Sequence, residues 1–273
     1  MKELHTRSVW GILFAAALMG AILFGCYTFA SLFLIFSVFT LREFYSLCRE
    51  AGFSPQLYPG LFAGATLFVL SFFIAEQSLT YKAYNYLLPI IYAIPVYELF
   101  RKKKKPLANI ALTGFGIIYV SIPFSILNFL VFPESEGTII YNYGLLISFF
   151  VFVWASDSGA YIIGVRFGRH RLFERISPKK SWEGLLGGVV TAIAAAWVLT
   201  LVFPQYSFVF MGGMAIVIVI SGTLGDLIES MIKRSIGIKD SGRFMPGHGG
   251  LLDRFDSILL ASPVIFFMIQ FFR

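Results

Sequence analysis

Apolar runs of membrane length follow one another along almost the whole chain. Hydropathy places them at residues 9–25, 27–41, 60–74, 84–100, 107–131, 141–163, 185–202, 208–228 and 257–272. Roughly 20 residues are enough to cross the hydrocarbon of a bilayer as a helix. In lipid, every backbone N–H and C=O has to be satisfied internally, which leaves helices or closed barrels, and long runs without alternation read as helices. Charged residues make up only 14% of the 273 positions, against about 25% in soluble domains. Phe alone occupies 31 positions, so a disordered chain is also excluded. The expected fold class is all-α, a polytopic transmembrane bundle of about nine spans. Residues 1–140 are read as N-terminal transmembrane helices. Residues 141–273 are read as a C-terminal transmembrane region whose cytoplasmic loops carry the chemistry.

The net charge of +7 is read through loop orientation rather than through a nucleic-acid partner. With the amino terminus inside, only Lys82 and Arg273 of the 22 basic residues fall outside. That bias predicts an N-in, C-out orientation in the cytoplasmic membrane. Lys2 and Arg7 before an apolar run mimic a signal peptide, but Phe24 is off-pattern for cleavage and a second apolar run begins at once. The first run is therefore read as a retained span, and a tight hairpin or one long broken helix are both open for residues 9–41. The run at 101–105 (Arg101, then Lys102 to Lys105) reads as a stop-transfer and headgroup anchor. Cys26 and Cys48 match no metal or disulfide spacing.

The carboxylates carry the functional signal. All five aspartates lie in the second half, each near the inward end of a span or in an inward loop, and ionisable groups at membrane depth default to a functional reading. Asp226, Glu229, Ser230 and Lys233 stand at i, i+3, i+4 and i+7, one face of a helix. Asp253, Asp256 and Ser257 repeat the spacing at the start of the last span. Two helix ends of this kind can converge on a divalent cation. Few, hard oxygen ligands suit Mg²⁺, which keeps waters and takes substrate phosphates. Gly247 to Gly250 would let backbone amides approach an anion, beside Lys233, Lys239, Arg243 and Arg254. Carboxylates for a metal next to cations for phosphate indicate phosphoryl-transfer chemistry. Ser156, Ala160, Gly164 and Gly168 form a small-residue packing stripe. Asp157, on the same segment, is either a buried partner for a cation or a wall of the site. Ser177, Lys179, Lys180 and Ser181 suit phosphate or nucleotide contact, while Trp182 suits an interfacial anchor. No Walker loop, zinc helix or nucleophile elbow is present.

The 27 residues from Ser230 to Asp256, Ser-Met-Ile-Lys-Arg-Ser-Ile-Gly-Ile-Lys-Asp-Ser-Gly-Arg-Phe-Met-Pro-Gly-His-Gly-Gly-Leu-Leu-Asp-Arg-Phe-Asp, closely resemble the signature of the phosphatidate cytidylyltransferase (CDP-diacylglycerol synthase) family. Gly225-Asp226-Leu-Ile-Glu229-Ser230 and Ser177-Pro-Lys-Lys-Ser-Trp-Glu-Gly184 also look like segments of that family. Met245 is a mild departure from its usual Leu, Ile or Phe. The resemblance implies CTP and phosphatidate as substrates and CDP-diacylglycerol and pyrophosphate as products, with Mg²⁺, at the cytoplasmic face of the membrane. It further implies that Asp226 and Asp253 hold the metal, and it suggests a homodimer. On that basis Asp256 and Glu229 are expected as outer or second-metal ligands. Lys233, Lys239, Arg254 and the loop of His248, Gly249 and Gly250 are expected to bind phosphates, with Ser230 beside them. Ser177, Lys179, Lys180 and Ser181 are expected to close over a substrate. A monovalent ion such as K⁺ beside Mg²⁺ stays open. Rival readings are another CTP-dependent lipid enzyme, such as a polyprenol-type kinase, and a transporter.

Overall fold

The computed structural model describes residues 2–135, 138–238, 242 and 249–271. Two compact units are formed, Met1–Asn142 with Ile236–Phe255, and Tyr143–Ser235 with Asp256–Arg273. Residues 249–255 belong to the first of these units.

The first unit begins with α1 (Lys2–Phe24) and α2 (Cys26–Glu50). They are broken at Gly25, whose φ of 135° is open to glycine and strained for other residues. Phe14 and Phe36 pack against each other, their ring centroids 5.5 Å apart. In one continuous helix, residues so far apart in sequence would stand roughly 30 Å apart, so the segment is a hairpin. The unit continues with α3 (Leu57–Ala75), a 3₁₀ turn (Tyr81–Tyr86), α4 (Leu87–Arg101), α5 (Pro106–Gly116), a π turn (Ile117–Ser121) and α6 (Ile122–Val131). The π turn has a local cause. Pro123 has no N–H to offer, and its ring would clash with the carbonyl four residues back, at Tyr119 inside the widened turn. Tyr45 is a centre of the packing: its hydroxyl donates to Thr113 O at 2.7 Å, and a Cβ on Gly116 would come within 2.5 Å of its ring.

A polar knot fastens the end of α4. Glu98, 5% exposed, accepts from Gln56 Nε2 at 2.7 Å, Asn109 Nδ2 at 2.9 Å and Arg101 Nη1 at 2.7 Å. Arg101 also donates to Ser54 O at 2.8 Å. The basic run therefore begins with a residue engaged in the knot. Lys102 and Lys105, at φ 50° and 58°, turn the chain into α5. Lys105 Nζ rests 4.5 Å from the Phe53 ring centroid, a cation–π contact.

After a short hairpin, β1 (Glu134–Ser135) and β2 (Thr138–Ile139), comes the second unit. It holds α7 (Gly144–Phe167), the antiparallel hairpin β3 (Arg171–Phe173) and β4 (Ser177–Ser181), α8 (Trp182–Val202), α9 (Phe208–Ile236) and most of α10 (Leu252–Phe271). The small-residue stripe of α7 does what its spacing predicts. Gly184 and Gly188 of α8 lie against Ala160 O and Ser156 O, each 3.0 Å from where a Cβ would stand.

Among the described residues, each of the nine predicted runs overlaps a helix, and the all-α class holds apart from two small hairpins. Among the described residues, six helical stretches are long and apolar enough to cross a membrane: Cys26–Glu50, Leu57–Ala75, Pro106–Val131, Gly144–Phe167, Trp182–Val202 and Phe208–Ile236. α4 by itself, with 15 residues, reaches about 22 Å of the ~30 Å of a bilayer core, and the 3₁₀ turn ahead of it extends the predicted span.

Candidate active site

Close packing of α7 on α8 sets the base of a cavity in the second unit, and the β3–β4 hairpin between them supplies its cations. Ser181 ends β4 and begins α8: its Oγ accepts from the Gly184 amide at 3.1 Å, an N-cap worth about 1 kcal/mol. Glu183 clasps the start of β3 at the same open end of the hairpin. Its carboxylate accepts from the amides of Arg169 and His170, each at 3.2 Å, and meets His170 Nδ1 at 2.6 Å. Lys180, next to this fastened end, reaches α9, where its Nζ lies 2.5 Å from Asp226 Oδ2 and 3.5 Å from Thr223 O.

Close approach also positions Asp226. A Cβ on Gly225 would stand 2.5 Å from Asp256 O, and one on Gly222 would stand 3.3 Å from Ser257 Cβ. These two glycines let α9 lie directly against α10 at Asp256 and Ser257. The charges of Asp226, Asp157 and Lys180 all act on the Asp256 carboxylate, whose Oδ1 accepts from the Ser257 amide at 2.6 Å. Ser230, one turn beyond Asp226, donates to Asp226 Oδ1 at 3.2 Å.

The resulting cavity, about 340 Å³, is walled by Asp157, Lys179, Lys180, Thr223, Asp226 and Ser257 among others, including Ser181. Lys179, Lys180, Ser181 and Asp226 of the expected site are therefore gathered around one space. Asp157 lines the same cavity. Ser177 begins β4 and does not line this cavity. Glu229 and Lys233 do not line it either. They form an ion pair at 2.5 Å, with side chains 1% and 10% exposed. The single polar face expected on α9 is thus divided between a cavity-facing part and a buried pair.

Asp253 belongs to the first unit. Its Oδ2 accepts from the Gly250 amide at 2.8 Å, so a backbone group expected to face an anion is held by a carboxylate. Gly249 lies close by, at φ 82°. The start of α10 has a second acceptor that sequence reading missed: Glu43 of α2 takes the Leu252 amide at 2.8 Å. A lone Glu beside Arg42 carries no pattern that would have marked it. Arg254 sits exposed in the first turn of α10, while Lys239 and His248 lie outside the described residues. Among the described residues, no three His, Cys, Asp or Glu side chains form a ready metal cage.

Comparison with known proteins converges on one chemistry. Residues 5–272 match the Cytidylyltransferase family. A phosphatidate cytidylyltransferase of Bacillus subtilis is 41% identical over 134 residues, covering 48% of this chain and 50% of that protein. One from Mycobacterium bovis is 41% identical over 154 residues, covering 56% and 48%. One from Staphylococcus saprophyticus is 39% identical over 171 residues, covering 62% of each. The chain thus spans about half the length of the first two relatives.

Proposed function

The chain belongs to the cytidylyltransferase family, and on that premise we propose that it transfers the cytidylyl group of CTP to phosphatidate. The products are CDP-diacylglycerol and pyrophosphate. The observation that carries this reading is the Lys180–Asp226 pair at the wall of a cavity that also takes Asp157 and Ser257. Relatives named phosphatidate cytidylyltransferase support the choice of substrates.

A phosphomonoester is largely dianionic near neutral pH, with its second pKa at about 6, so its oxygen attacks the α-phosphorus of CTP without a strong general base. None of the described residues lining the cavity is His or Cys, and none is needed. The barrier lies in bringing anions together and in holding the reacting oxygens in line. Lys180 can exchange Asp226 for a phosphate oxygen, and Lys179 adds a second cation at the same wall. The Ser257 hydroxyl offers a hydrogen bond for orientation.

The donor set fits Mg²⁺. Asp226 and Asp157 both repel the charge of Asp256 beside the ammonium of Lys180, and a divalent ion relieves such crowding. An ion that keeps waters and borrows ligands from substrate phosphates needs no complete protein cage. Asp226 with Asp256 would hold it, joined by Asp253 as the resemblance implies. Glu229, already paired with Lys233, would contribute from outside. When bound, Mg²⁺ polarises the phosphoryl oxygens and neutralises developing charge.

The proposed topology is nine spans, N-in and C-out, in the cytoplasmic membrane with the site facing the cytoplasm. It rests on the one-sided distribution of basic residues. The proposed assembly is a homodimer. The test is to incubate purified protein with labelled CTP, phosphatidate and Mg²⁺ and to identify both products. CDP-diacylglycerol with pyrophosphate is expected. Release of CDP would instead indicate a lipid kinase.

A further inference from the structure

Beside the carboxylate-walled cavity lies a second one, also about 340 Å³, lined by Ala160, Tyr161, Val165, Arg171 and Lys179, with Gly164 and Gly168 at its floor. The two share Ala160, Tyr161, Gly164 and Lys179. Their charges differ. The first has Asp157 and Asp226 in its wall, whereas among the described residues the second has two cations and no carboxylate.

Strand pairing explains how the hairpin serves both. Arg171 pairs with Ser181 across β3 and β4, and paired residues share one face of a hairpin. The register shifts between that pair and Phe173–Ser177, a bulge that falls on the stretch of β4 carrying Lys179 and Lys180. Lys180 lines only the first cavity, Arg171 only the second, and Lys179 the boundary of both.

The rim of the second cavity is apolar and open. Tyr161 and Val165 are 73% and 70% exposed, one turn apart on the same face of α7. This helix is long and apolar enough to cross a membrane. Two cations beside an exposed apolar helix face match an anionic headgroup carried on hydrocarbon chains better than a free nucleotide, which brings no chains to cover that face.

Resting on the reading above, we propose that the second cavity docks the phosphomonoester of the lipid substrate between Arg171 and Lys179. The acyl chains then lie along the Tyr161–Val165 face of α7, and the triphosphate of CTP occupies the neighbouring cavity. A phosphomonoester seated at the shared wall has its attacking oxygen next to the nucleotide's space. Arg171 is thereby a specificity residue for the lipid. Two charge-assisted bonds from its guanidinium hold the phosphate more firmly than a point charge does.

The experiment compares wild type with Arg171→Gln and Arg171→Lys in mixed micelles, with phosphatidate and CTP varied separately. KM for phosphatidate is expected to rise about tenfold or more in Arg171→Gln and to recover partly in Arg171→Lys, with KM for CTP within about twofold of wild type. A rise in KM for CTP of equal or greater size would overturn the assignment, because the cations would then serve the nucleotide. Unchanged kinetics for both substrates would overturn it as well. If Arg171→Gln does not accumulate, Arg171→Lys alone is put to the same comparison, with a smaller rise in KM for phosphatidate and an unchanged KM for CTP expected. Binding of short-chain phosphatidate without CTP, by calorimetry on wild type and variant, separates docking from turnover. Wild type that binds phosphatidate but makes no CDP-diacylglycerol keeps the docking site and loses the proposed reaction. Wild type that makes the product, with equal phosphatidate binding by the variant, loses the docking site alone.

Discussion

In the first unit Glu98 is surrounded by Gln56, Asn109 and Arg101, and Glu43 holds the Leu252 amide at the start of a helix. In the second unit Asp226 meets a lysine side chain at the wall of a cavity. All are carboxylates in a largely apolar chain, yet their partners separate them. Amides and an arginine inside a closed knot fix the backbone and leave no room for a ligand. A mobile ammonium beside an open space can be exchanged for one. A charge in a membrane protein is therefore informative about function chiefly through what it is bound to, more than through its being there.

Substitutions that keep shape and remove charge test this division. The largest effect is expected from Asp226→Asn. It should lower CDP-diacylglycerol formation by about 10²–10³-fold while the protein inserts and unfolds as wild type does. Activity within a few-fold of wild type would dissolve the distinction between the units. Asp253→Asn sharpens the comparison, because Asp253 is bound to backbone like the carboxylates of the first unit and is also proposed to hold metal. Asn keeps an oxygen for the Gly250 amide, so turnover is expected to fall by about 10²-fold or more with no change in thermal unfolding. Retained turnover would assign Asp253 to the structural group.

Glu98→Ala should act in the opposite sense. It breaks the buried pair with Arg101 and takes one acceptor from Gln56 and Asn109, which keep only Ile94 O and Lys104 O, a loss of about 3–5 kcal/mol, read as a lower unfolding temperature with activity per folded molecule preserved. Glu43→Ala is expected to lower stability by about 1–3 kcal/mol, the range for stranding a buried donor. Glu43→Gln, which keeps an acceptor for Leu252, should restore most of it. Equal damage from both would mean that the charge, not the hydrogen bond, is what α10 needs. The smallest effect is expected from Ser181→Ala, about 1 kcal/mol from loss of the α8 cap, measured by denaturation in detergent.

Much of the architecture was legible because lipid leaves the backbone few choices: each apolar run is a helix, and each predicted span has one. The stripe from Ser156 to Gly168 was legible for a similar reason, since small residues at every fourth position admit a neighbouring backbone. The α9 face was half legible. Helical spacing puts Asp226, Glu229, Ser230 and Lys233 on one side, but a face is an arc and neighbours divide it. Ser230 bonds to Asp226, while Glu229 and Lys233 bury each other. Glu43 was illegible. Its partner, Leu252, lies 209 residues away, and no local pattern encodes a bond of that separation.

Helix positions, the all-α class and the gathering of all five aspartates in the second half follow from the order of residues alone, because hydrophobic periodicity and backbone satisfaction act locally. Which carboxylate caps a helix, which one faces Lys180, and which cations gather beside α7 were decided only by tertiary packing. Those outcomes depend on glycines such as Gly225 admitting one helix to another, and on a hairpin that brings Lys180 to one cavity, Arg171 to its neighbour and Lys179 to both.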